Sequence, residues 1–170
     1  MKKNIIALLL VLAVVSFGVF AAPSPATFTV TTTVNDNSFM GVTEETYGTL
    51  GVGGEYTAFE NLGVTASGEQ TFEAYITSYS NHPAGYTLSM SATAMSNTTN
   101  AAVIHYTVGA NSKSYDTETN TTAVDLFTTS ALTAITGSSH ELSLTVDADS
   151  FDAATTGSYT GTVTFTYTAN

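Results

Sequence analysis

A chain of 170 residues with a formal net charge of −11 and no cysteine has the length of one ordinary domain plus a short extra segment. Without cysteine it has no disulfide, no thiol nucleophile and no lipidated-cysteine anchor. Lys2 and Lys3 stand at the start, so Lys113 alone faces fourteen carboxylates, and a surface of that sign repels phosphate backbones and excludes nucleic acid as a partner.

The first element is a targeting segment. Lys2 and Lys3 form a positive region, residues 5–20 an apolar one, and Val19-Phe20-Ala21 offers small residues for cleavage. Residues 1–21 therefore read as a secretory signal peptide, with export as the consequence. Residues 22–35 follow as a Pro/Ser/Ala leader and a first strand, and residues 36–170 as the body of the domain. The mature chain contains no further apolar run long enough to span a bilayer.

The first strand, Thr27-Phe28-Thr29-Val30-Thr31-Thr32-Thr33-Val34, alternates threonine with mostly apolar residues. So does the last, Tyr159-Thr160-Gly161-Thr162-Val163-Thr164-Phe165-Thr166-Tyr167-Thr168. A period of two belongs to half-buried β-strands. Between them, residues 35–38 are a turn and residues 39–42 a short second strand. Residues 48–54 are a glycine-rich loop, and residues 62–66 a weak strand. Phe72, Ala74 and Ile76 alternate in one strand and Tyr86, Leu88, Met90 and Ala92 in the next. The intervening residues 80–85, with Pro83 and Gly85, form a hairpin or a connection between sheets. Ile104, Tyr106 and Val108 follow, then an exposed polar loop over 109–123. Short strands at Leu126-Phe127 and at Leu142, Leu144 and Val146, and a loop over 147–157, precede the closing strand. Seven to nine short strands with no convincing helical period predict an all-β, immunoglobulin-like antiparallel β-sandwich.

Reactive constellations are few. His82, His105 and His140 match no zinc spacing, and His105 alternates away from the core. Asp147, Asp149 and Asp152 are weak candidates for calcium, but their spacing is not that of an EF-hand. Glu44 and Glu45 are adjacent and would face opposite sides of a strand. Gly51-Val52-Gly53-Gly54 lacks the following helix of a phosphate site. Lys113 lies in a polar stretch, not in the buried setting an isopeptide bond needs. No catalytic residue and no cofactor is expected.

In the order of its segments the chain resembles the major pilins of the α-class fimbriae, a group of enteric adhesion pili. The residues that carry the likeness are Phe28-Thr29-Val30-Thr31-Thr32-Thr33-Val34 with Asn35-Asp36, Thr71-Phe72-Glu73-Ala74-Tyr75, and Gly157-Ser158-Tyr159-Thr160-Gly161-Thr162-Val163. Where the family often has a proline just after the donor strand, this chain has Asp36 and Asn37. The resemblance implies a sandwich lacking its final strand and completed by donor-strand exchange. Phe28, Val30, Thr32 and Val34 would be the donor plugs. Phe72, Ile76, Leu88, Tyr106, Tyr159, Val163, Phe165 and Tyr167 would line the acceptor groove or the core beside it. Implied partners are identical subunits, a periplasmic chaperone and an outer-membrane usher, and the implied location is a fimbrium at the cell surface. The alternative expectation is a secreted or surface module that binds carbohydrate or protein, with Tyr115 and Phe151 stacking on a sugar.

Overall fold

The computed structural model describes residues 28–170, so the signal peptide (1–21), the leader and Thr27 lie outside the described residues. The chain divides into two units, Met1–Val34 and Asn35–Asn170. In the first, residues 28–34 form no strand, contrary to the expectation from their alternation, and Phe28, Val30 and Val34 are 89 %, 79 % and 81 % exposed.

The second unit is all-β, with every strand pair antiparallel. Strands β1 (Phe39–Thr43), β3 (Tyr75–Ser80) and β10 (Thr136–Glu141) form one sheet in the order β1-β3-β10. A second sheet runs β2 (Gly68–Glu69), β11 (Ser143–Val146), β7 (Tyr106–Ala110), β8 (Lys113–Asp116). A third runs β12 (Val163–Ala169), β4 (Tyr86–Ala92), β9 (Val124–Thr128), and β5 (Met95–Ser96) pairs with β6 (Val103–Ile104). Two helices, α1 (Tyr47–Leu50) and α2 (Ala148–Ala153), fall where loops were expected. Both are too short to register as a helical period.

One buried cluster draws on all four sheets, with Ile104 of β6 among its members. Ile76 of β3, Leu88 and Met90 of β4, Tyr106 and Val108 of β7, Tyr115 of β8, Leu126 of β9 and Val146 of β11 belong to it. The alternation in these strands is the physical cause, since residues two apart share a face. Residues 80–85 connect two sheets: Gly85 adopts φ 84°, and its N–H closes a turn on His82 O at 3.0 Å. A side chain at Gly85 would strike the carbonyl oxygens of Thr129 and Ser130.

Within the polar stretch 109–123, residues 109–116 belong to a hairpin rather than an exposed loop, while 117–123 are turn and loop. Asn111 and Ser112 both have positive φ, 49° and 58°, so a two-residue turn reverses β7 into β8. Inside the sheet β1-β3-β10, hydroxyls replace apolar side chains. Thr77, fully buried, bonds Thr43 Oγ1 at 2.9 Å and Ser139 Oγ at 2.6 Å. Buried polar groups are tolerated when paired in this way. Residues 44–59 cover that face, where Phe39 stacks between Tyr56 and Tyr79.

Candidate functional site

The most marked local feature is the edge of β12. That strand pairs with β4 over its whole length, Val163↔Ala92 to Ala169↔Tyr86, and with no other described strand. Burial alternates without a break from Tyr159 to Thr168: odd-numbered side chains are half-buried, even-numbered threonines and Ser158 exposed. Threonine at each outward position suits a solvated pleat.

The hydrogen bonds define which way the main chain points. Thr160 exchanges two 3.0 Å bonds with Ser96, Thr162 O accepts from Thr93 N at 2.9 Å, and Asn170 N donates to Gly85 O at 3.1 Å. In an antiparallel ladder, successive residues direct their N–H and C=O to opposite edges. The even-numbered residues thus face β4, and the main-chain groups of Val163, Phe165 and Tyr167 face the unpaired edge.

Beside that edge lies a groove of about 510 Å³. Val163 and Phe165 form one wall, with Tyr159 and Gly161 preceding them. Tyr106, Val108 and Leu144 supply the floor from β7 and β11, and Val42, Phe59, Leu62, Val64 and Phe72 the opposite wall. Phe59 stacks on Phe72 at 5.7 Å. Residues 60–65 in this wall alternate in burial at Leu62 and Val64, yet their main chain bonds no described residue. The weak strand expected over 62–66 does not form: these residues belong to no strand. A contiguous cavity of about 420 Å³ continues past Tyr159 toward Ile104, Phe151 and Gly157.

The groove is closed at one end. The Tyr167 hydroxyl bonds Ser80 Oγ at 2.9 Å and reaches Ser38 Oγ at 3.4 Å, which ties β12 to β3 and to the residue before β1. Tyr167 also stacks on Tyr86 at 4.9 Å.

Of the residues singled out in the sequence, Phe72, Tyr106, Tyr159, Val163 and Phe165 line the groove. Ile76 and Leu88 lie in the buried cluster, and Tyr167 stands at the closed end. Sequence reasoning did not single out Met95, Leu144 or Phe59 for this role. Their alternation carried no sign of which side of a sheet would stay uncovered. Tyr106 is 4 % exposed, and burial, then the neighbouring Tyr115, pushes its phenol up to about 12. Its hydroxyl bonds no described residue. His82 Nδ1, by contrast, is a fully enclosed atom without a partner.

The loop candidates change character. Asp147 is the N-cap of α2, its carboxylate accepting from Ser150 N at 2.8 Å, and this bond holds its carboxyl below the usual range. Among the described residues no three carboxylate or imidazole side chains converge on one point that could hold a metal ion. Tyr115 is buried, with its hydroxyl on Asn120 O at 3.0 Å, so it offers no face to a sugar. Phe151, half-buried, packs against the main cluster. His140 packs on Phe127 at 5.1 Å, and burial pushes its imidazole down from the ordinary value.

No protein-family model matches the chain, and searches of curated proteins and of solved structures likewise find no match.

Proposed function

We propose that the chain is a non-catalytic structural subunit of a filament, completed in each case by the leading segment of another copy. In this reading the second unit is an immunoglobulin-like sandwich lacking one strand. The observation that carries it is the open edge of β12 above an apolar groove. An unpaired edge with an apolar trough beside it is a template for an added strand.

The complementary piece is in the same sequence. Phe28, Val30, Thr32 and Val34 recur at a period of two, and the three apolar members are exposed in the single chain. Their burial would contribute roughly 1.5–3 kcal/mol each. That total only matches the 4–15 kcal/mol lost on association, so main-chain pairing along β12 must supply the surplus. Contacts between a groove on one copy and a strand on the next are heterologous and propagate into a fibre. This architecture agrees with the resemblance to α-class pilins. With it come the proposals of a periplasmic chaperone, an outer-membrane usher, a cell-surface fimbrium and a part in cell adhesion.

Deletion of residues 27–34 tests the reading. The expected result is an exported chain whose melting temperature matches that of the full-length monomer and which forms no polymer by electron microscopy or sedimentation. Polymers formed by the deleted chain would refute it.

A further inference from the structure

The groove floor contains one hydroxyl that nothing described satisfies, that of Tyr106, and the four inward positions of the leading segment contain one hydroxyl, that of Thr32. We infer that Tyr106 receives Thr32 and thereby sets the register of the incoming strand. This rests on the proposed function above and adds the specificity-determining pair to it.

Three observations support the pairing. First, the phenol lies where a strand can reach it. A Cβ at Gly161 would stand 3.0 Å from Tyr106 Cε1, so the ring edge lies against the glycine that precedes β12. Thr93 O at 2.8 Å and Met95 Cγ at 3.0 Å crowd the same position, so only glycine lets the main chain before β12 lie this close to the Tyr106 ring.

Second, the lengths agree. With Thr32 opposite Gly161 in an antiparallel strand, Val30 falls opposite Val163 and Phe28 opposite Phe165. The strand then ends one inward position short of Tyr167, whose bonds to Ser80 and Ser38 close the groove. A shift of two residues toward that end would drive Phe28 into the bonded Tyr167. A shift of two the other way would put Thr32 at Tyr159 and leave the Tyr106 hydroxyl against Val30.

Third, a polar group buried without a partner is penalised, while a matched hydroxyl pair is not, so the mismatch discriminates between registers. A tyrosine phenol is protonated over the physiological range, so Tyr106 can both donate and accept.

The chain has no cysteine, so a disulfide map has no background. In the full chain, Val30→Cys combined with Val163→Cys is expected to give a ladder of intermolecular disulfides on mild oxidation of the polymer. Directly opposed residues in an antiparallel pair fall within disulfide reach. Phe28→Cys or Thr32→Cys with Val163→Cys is expected to give none. A ladder from either of those pairs in place of the first would overturn the register while leaving the filament reading intact. Absence of any polymer from the unsubstituted chain would remove both.

A thermodynamic cycle addresses the hydroxyl pair itself. Thr32→Val and Tyr106→Phe should each speed polymer dissociation in denaturant about tenfold, and together no more than either alone. Thr32→Ser should restore the unsubstituted rate. Multiplicative effects in the double variant, or none in the singles, would refute the pairing. If Tyr106→Phe unfolds the monomer, the disulfide map still decides the register.

Discussion

Tyr106 shows how one side chain can serve both core and groove. It is almost fully enclosed, yet its hydroxyl bonds no described residue, and burial raises its pKa from 10 to about 12. A phenol whose folded value is raised contributes stability that is complete below the unfolded value and is lost as pH rises toward the folded one. Between pH 10 and 12 the monomer should therefore lose stability, by up to about 1.4 kcal/mol per pH unit from this group. Urea melts at pH 9, 10 and 11 would measure the loss, and Tyr106→Phe should flatten it. Tyr86 is shifted in the same direction by burial, opposed by the hydrogen bond to Ser78, so a residual slope is expected in that variant. In the sequence, Tyr106 stands out by its place between Ile104 and Val108. The unsatisfied hydroxyl could not be read there, because hydrogen-bond partners come from other strands.

At the scale of elements, legibility tracks the contrast between alternate residues. β4, β7 and β12 were visible as alternations because one face is apolar and the other is not. β10 was not visible: Thr136-Gly137-Ser138-Ser139-His140-Glu141 has no apolar stripe, and its two faces make their contacts through the Ser139 hydroxyl to Thr77 and through His140 to Phe127. β8 reads as loop in the sequence because the stretch around it is almost wholly polar, and the turn through Asn111 and Ser112 at positive φ carries no glycine to mark a hairpin. The residue alternation in β12 yields a paired experiment. Proline at Val163 removes an N–H that faces the open edge, at the first residue of the strand, where proline is tolerated. Thr166→Pro removes a bond to β4. Val163→Pro is expected to leave monomer stability nearly unchanged while slowing assembly. Thr166→Pro is expected to destabilise the monomer by about 1–3 kcal/mol, the cost of a broken ladder bond and its unpaired acceptor. Equal effects of the two on monomer melting would contradict the assigned edges.

For the whole molecule, charge is the controlling quantity. Residues 4–35 contain no charged side chain, and all fourteen carboxylates lie between Asp36 and Asp152. Two such bodies repel at low ionic strength, and an uncharged leading segment gives no steering to offset it. Raising sodium chloride from 10 to 150 mM shortens the screening length from about 30 to about 8 Å. Assembly followed by light scattering should therefore accelerate severalfold. A rate that falls with salt would mean that attraction between charged groups brings the copies together, and Lys113 would then be the residue to examine.

The sequence by itself determined the all-β class, the positions of the strongly alternating strands, the absence of disulfide chemistry and the sign of the surface, since each follows from composition or from a period of two. Only the tertiary structure decided that β12 is an edge, that an apolar groove runs beside it, that Tyr115 is buried and that Asp147 caps a helix. Those properties depend on which strands become neighbours, and a residue's own alternation records that it has an inner face without recording what, if anything, covers it.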